Sequence, residues 1–242
     1  MKTAKSYKFK FKNRPLYEKY IDSSFRNLAI VEASLIGIVL IGIFLVVTLG
    51  SIDSIKEYGL KFLVVSEWNP VTNEYGAFTA IYGTVLTSFA ALLLAIPLGV
   101  GTAIFITEDI LPEKIRELIG ILVELLAAIP SVILGLWAIF VMEPFLRPIL
   151  YFLHNYLGWI PFFSSEPIGP GITPAILILV IMTLPIITSI SRDSLKQVPI
   201  NLREAAYGLG STRWTTIFNI ILPAALSGIA GGVLLALGRA LG

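Results

Sequence analysis

Three charged residues sit inside otherwise apolar runs: Arg239 in "LLALGRALG", Arg192 in "ITSISRDSL" and Glu124 in "ILVELLAAIPS". A guanidinium offers a planar fork of donors that can meet two oxygens of a tetrahedral anion at once. Arg239 lies sixteen residues beyond Pro223, roughly 24 Å along a helix rising ~1.5 Å per residue. At such depth an arginine costs about 2.5–3.5 kcal/mol on insertion scales, so it either binds an anion or reaches for the nearer interface. Arg192 closes its apolar stretch and reads either as an anion ligand or as a cation favoured at a helix C-terminus. Asp193 beside it is able to neutralise it. Glu124 precedes Pro130 and reads either as the partner that holds one of these arginines in place or as a protonated or interface-reaching carboxyl. Ser131, with Thr183, Thr188 and Ser189, supplies neutral hydroxyls to an anion or, as more often, to helix contacts.

These residues need a membrane to position them. The chain has 242 residues, 56% hydrophobic and 14% charged, with mean hydropathy +0.84. Soluble domains are nearer half apolar and a quarter charged. A spanning helix takes about 20 mostly apolar residues, and five segments qualify: 28–50, 79–107, 118–142, 172–190 and 220–242. The expected fold is an all-α polytopic bundle. Its parts are a basic segment 1–27, a first transmembrane helix 28–50, a loop 51–78 and a core 79–242. Pro97, Pro130 and Pro185 interrupt three successive spans, which favours a bundle around a pathway.

Loop charges orient the bundle. Lys2, Lys5, Lys8, Lys10, Lys12, Arg14, Lys19, Arg26, Lys114, Arg116, Arg192, Lys196, Arg203 and Arg213 fall on one side, against Lys56, Lys61 and Arg147 on the other. This predicts a multi-pass protein of the cell membrane with a cytoplasmic N-terminus, its basic segment anchored on anionic lipid. The loops facing outward are 51–78, net acidic, and 143–171, broken by Pro and Gly. Trp159, Phe162 and Phe163 suit the headgroup zone there.

Enzymatic chemistry finds little support. There is no cysteine, His154 is the sole histidine, and neither a P-loop nor an HExxH pattern occurs. "GVGTAIF" over 99–105 is a small-residue helix contact and not a dinucleotide site. No catalytic residue, metal, cofactor or nucleic-acid partner is expected.

Between the last two spans, "EAAYGLGSTRWTTIFNIILP" (Glu204 to Pro223) is too polar to cross a membrane. Pro199 opens a short helix there, and Gly208 or Gly210 supplies a left-handed cap. A second helix follows from Thr212, bearing Trp214, Ile217 and Phe218. Such a helix pair either fits a groove on a soluble partner or lies passively on lipid.

The spacing Glu204-Ala205-Ala206, then Gly210, Ile220 and Leu222-Pro223 resembles the EAA signature of ABC-importer permeases, here within a coupling loop 193–223. "EWNPVTNEYGAFTAIYGTVLTS", "ELLAAIPSVILGLWA" and "LGRALG" are similar to segments of the phosphate-specific permeases of PstC type. The resemblance implies the ABC-importer permease fold, called MetI-like. It also implies docking of the loop on a cytoplasmic ATPase dimer that binds the ATP, a second related permease, and an extracytoplasmic phosphate-binding protein. It supports Arg239 and Arg192 as lining the path of inorganic phosphate. It further implies Glu-Thr and one more helix after Gly242, making five spans of an expected six. Molybdate, sulfate or phosphonate would suit the same arginines, and an ATP-independent anion carrier would use the same kinks, but such a carrier has no need of a docking loop.

Overall fold

The computed structural model describes residues 16–242 apart from Pro161, Phe162, Ser165, Ile168 and Pro170. The basic residues from Lys2 to Arg14 and the ring of Phe162 therefore lie outside the described residues. The chain divides into two units, Met1–Gly76 and Ala77–Gly242.

In the first unit, α1 runs over Leu16–Tyr58 and continues into a 3₁₀ turn, Gly59–Leu63. The helix is longer than the predicted span 28–50. Apolarity decides which part of a helix can lie in lipid, whereas the backbone ladder continues through polar residues on either side. The predicted loop 51–78 therefore begins as helix. A short antiparallel hairpin follows, β1 (Trp68–Asn69) and β2 (Glu74–Tyr75), with Trp68 opposite Tyr75 and their rings edge to face at 5.1 Å. Gly76 packs so closely that a Cβ there would lie 2.0 Å from the Val65 carbonyl oxygen.

In the second unit, α2 (Phe78–Thr107), α6 (Ile172–Lys196) and α9 (Leu222–Leu241) form the packed centre, with α6 against both others. Small residues set the spacing. Gly228, Gly232, Ala236 and Ala240 recur every fourth position of α9, the pattern that lets membrane helices approach closely. A Cβ on Gly228 would lie 2.1 Å from Ser194 Oγ, and one on Gly232 would lie 3.0 Å from Ile190 Cβ. On α2, a Cβ on Gly99 would lie 2.8 Å from Ile187 Cγ2. At the far end of the same seam, Ser88 Oγ donates to the Ala240 carbonyl at 2.8 Å.

The third span departs from expectation. The sequence predicts one helix over 118–142, but the chain forms α3 (Glu113–Ala128), breaks at Ile129-Pro130, and resumes at Ser131. Ile129 is extended, with φ −72° and ψ 125°, as the ring of a following proline requires. From Ser131 the helix runs unbroken to Leu157 through α4 (Ser131–Trp137), a π turn (Ala138–Met142) and α5 (Glu143–Leu157). Glu124 lies near Arg192, whereas Leu134, Ala138 and Met142 pack with Ile178, so the stretch 113–142 runs antiparallel to α6. The predicted outer loop 143–171 is thus helical to Leu157. Its charges do not end the helix because Arg147 binds the buried Glu143 carboxylate with two nitrogens at 2.9–3.0 Å.

Two more helices complete the unit, α7 (Ile200–Gly208) and α8 (Arg213–Thr216). A second π turn, Ile217–Ile221, joins α8 to α9 without a break. The fifth apolar helix thus begins at Arg213, earlier than the predicted 220. Each π turn ends two residues before a proline, Pro144 and Pro223. A proline ring clashes with the carbonyl four residues back and leaves it unpaired; a π turn at that place shifts the pairing by one residue.

Candidate functional site

Lys114, Arg116, Arg192, Lys196, Arg203 and Arg213 gather at one end of the second unit, where α2 and α6 finish and α3 and α7 begin. Two features occupy this end.

The first is the helix pair α7–α8. Pro199 caps α7 rather than serving as its first helical residue. The helix closes in a two-bond cap: Gly210 N donates to Tyr207 O at 2.9 Å and Ser211 N to Ala206 O at 3.0 Å. This arrangement needs a left-handed residue, and Gly210, not Gly208, takes it with φ +82°. Thr212 then caps α8, its hydroxyl accepting from Thr215 N at 3.3 Å. Glu204, Ala205, Tyr207 and Leu209 face outward, while Ala206 is buried. Trp214 and Phe218 stack at 6.0 Å and are exposed. Ile217 and Ile221 are fully buried with Ala103, Leu195, Ala225 and Ile229. Leu222 is half-buried beside them, and Pro223 is exposed. The pair thus presents one polar, aromatic-edged face and roots the other in the bundle. Gly210→Ala forces an L-residue into the left-handed region at about 1–2 kcal/mol. The expected result is a loosened α7–α8 turn and weaker retention of a docked partner, read by co-purification.

The second feature is a cavity of about 450 Å³ lined by Thr107, Arg116, Gly120, Glu124, Arg192 and Lys196, among others. Arg192 Nη1 donates to Glu124 Oε1 at 3.2 Å, and its Nε reaches Asp193 Oδ1 at 3.4 Å. The arginine side chain is 22% exposed and that of Glu124 is 64% exposed. An ion pair with one partner so open is worth about 0–1 kcal/mol, and two more carboxylates, Glu113 and Glu117, line the same cavity.

The other sequence-predicted residues lie apart from this pair. Ser131 is exposed and does not line the cavity. Arg239 is exposed near the opposite end of the α6–α9 seam, next to the Ala240 that meets Ser88. Thr183 and Ser189 donate to carbonyls of their own helix, Leu179 and Ile186. The Thr188 hydroxyl is buried facing Gly99 and has no partner among the described residues.

Sequence reasoning missed Glu108 and Asp109. Glu108 is buried and pairs with Arg203, while Asp109 accepts from Arg116 at 2.7 Å through its carboxylate and from Arg213 at 2.5 Å through its carbonyl. The only signal was an acidic pair directly after an apolar run, in "IFITED".

Residues 95–242 match the family model described as the binding-protein-dependent transport system inner membrane component. A protein of Mesorhizobium japonicum named phosphate transport system permease protein PstC is 44% identical over 91% of this chain and 69% of its own length. Proteins of the same name from Xylella fastidiosa strain 9a5c and Haemophilus influenzae are 40% and 42% identical, covering 95% and 93% of this chain and 72% and 73% of their own lengths. Among solved structures, an inward-facing MetNI methionine ABC transporter chain aligns with TM-score 0.54 at 21% identity, over 66% of this chain and 68% of that one. That likeness concerns the fold alone.

Proposed function

The chain belongs to the binding-protein-dependent transport inner-membrane family and, within it, to the PstC-type permeases, and on that premise we propose that it is a translocation subunit of an ATP-driven importer of inorganic phosphate. It is a multi-pass membrane protein and a transport component, not an enzyme. The observation that carries the reading is the exposed α7–α8 pair, with Glu204, Ala205 and Gly210 displayed and Ala206 buried in its rooted base. A stand-alone carrier has no use for that surface.

In this reading the end bearing Arg116, Arg192, Lys196, Arg203 and Arg213 is cytoplasmic, as is the N-terminus. Two ATPase subunits dock there and bind the ATP. A second, related permease completes the pathway, and a phosphate-binding protein delivers substrate from outside. Phosphate passes Arg239 in the outer half and Arg192 at the inner mouth. Glu124 holds Arg192 in position between cycles and yields it to the anion. Ser131, at the Pro130 break, offers a hydroxyl along the way.

The test is uptake of radiolabelled phosphate into proteoliposomes holding the full-length permease, its partner permease, the ATPase and the binding protein. ATP-dependent uptake that excess molybdate or sulfate leaves intact supports the proposal. ATP-independent uptake would make the protein a carrier. An active ATPase without phosphate uptake would change the cargo.

A further inference from the structure

We infer that the buried Glu108–Arg203 pair is a positioning device that makes the end of α2 move as one body with the docking helices. The inference rests on reading α7–α8 as the docking surface.

Glu108 is the residue at which α2 ends, and its backbone is extended, with φ −87° and ψ 148°. Its side chain turns inward and is 7% exposed, and Arg203 bonds it directly. Arg203 stands one position before Glu204, so the same turn of α7 presents a carboxylate outward and a guanidinium inward. A second nitrogen of Arg203 donates to the Leu195 carbonyl at 2.9 Å. That carbonyl belongs to the last turn of α6, where it also accepts from Val198 N at 3.4 Å. One side chain therefore ties α7 to the ends of two membrane helices.

Asp109 extends the tie. Arg213, the first residue of α8, holds its carbonyl, and Arg116 of α3 holds its carboxylate. The dipeptide 108–109 is thus gripped by arginines from α7, α8 and α3. Beneath it the apolar residues Ala103, Ile104, Leu195, Val198, Ile217 and Ile221 pack together, with Ile110 against them. Apolar contact is non-directional and allows sliding. A buried, hydrogen-bonded ion pair does not, because separation leaves an uncompensated charge out of water. A push on Glu204 or Tyr207 is consequently delivered to α2 without slack.

The chain has no cysteine, so labels can be placed cleanly. Phe105→Cys on α2 and Ile200→Cys at the start of α7, both at exposed positions, carry spin labels in the full-length complex with its ATPase. The distance between them is expected to stay fixed between nucleotide-free and ATP-trapped states. In E108Q and in R203Q it is expected to shift or broaden with nucleotide. Phosphate imported per ATP should fall at least tenfold in each, while ATPase turnover stays within about twofold. The double variant E108Q/R203Q, which can re-form a neutral hydrogen bond, should recover part of the coupling ratio. A distance that changes with nucleotide in the parent protein overturns the inference, as does an unchanged ratio in both single variants. Uptake and ATPase falling in equal proportion would mean a structural role only and would also overturn it. Failure of the parent complex to retain ATPase would instead refute the docking reading.

Discussion

Arg192→Ala will lower ATP-driven phosphate uptake by the full-length complex by about 10- to 150-fold, while the ATPase remains bound. A charged hydrogen bond contributes about 1.5–3 kcal/mol, and each ~1.4 kcal/mol is tenfold in a rate or equilibrium. Arg192 lines the cavity with a guanidinium of five N–H donors, and its carboxylate partners among the described residues are open to solvent on their own sides. Losing it therefore strands no buried charge, so the fold should persist, and a fall in uptake would report on its proposed role as an anion ligand. Arg192→Lys keeps the charge but loses the fork and should fall between the two. Glu124→Gln should leave uptake within a few-fold, because its pair with Arg192 is weak. Parallel measurement of uptake and ATPase retention checks all three; uptake unaffected in Arg192→Ala would remove this residue from the path.

The second large effect is on packing. Gly228→Leu is expected to prevent accumulation of folded protein, and Gly228→Ala to lower stability by about 1–3 kcal/mol, the usual range for overpacking. The Cβ of alanine would meet Ser194 Oγ at 2.1 Å and Ser194 Cβ at 2.8 Å. The hydroxyl can rotate only by giving up its 2.7 Å bond to Ile190 O. Ser194→Ala should thus relieve part of the Gly228→Ala defect, and the residual Cβ contact should keep the rescue incomplete. Thermal unfolding in detergent, read by fluorescence size exclusion, compares the four proteins; a Gly228→Ala variant as stable as the parent would show that α6 and α9 can separate freely.

What could be read before the structure was local. A glycine cap at Gly208 or Gly210, a second helix from Thr212 and the half-polar helix pair within Glu204 to Pro223 all follow from spacing. The Arg192–Glu124 pair was within reach because both charges stood alone in apolar runs. The third span was misread because hydropathy averages over Pro130 and stops at Glu143. A proline alters backbone pairing without altering apolarity, and the charge of Glu143 is cancelled four residues later by Arg147. The Glu108–Arg203 pair was invisible for a different reason. Its members are 95 residues apart, and no local pattern distinguishes a loop acid that turns inward from one that turns to water.

The π turn at Ile217–Ile221 bears on the angular phase of α9. One residue of α-helix advances a side chain by ~100°, and a π turn accommodates one extra residue. Winding the same five residues of 217–221 as regular α-helix would instead swing every later side chain by most of that angle. Gly228, Gly232, Ala236 and Ala240 would then leave α6, and the bulky Leu235, now exposed, would turn into the place of Ala236. The tight seam of the bundle thus depends on a miscount of one, placed just beyond the α7–α8 pair and two residues ahead of Pro223.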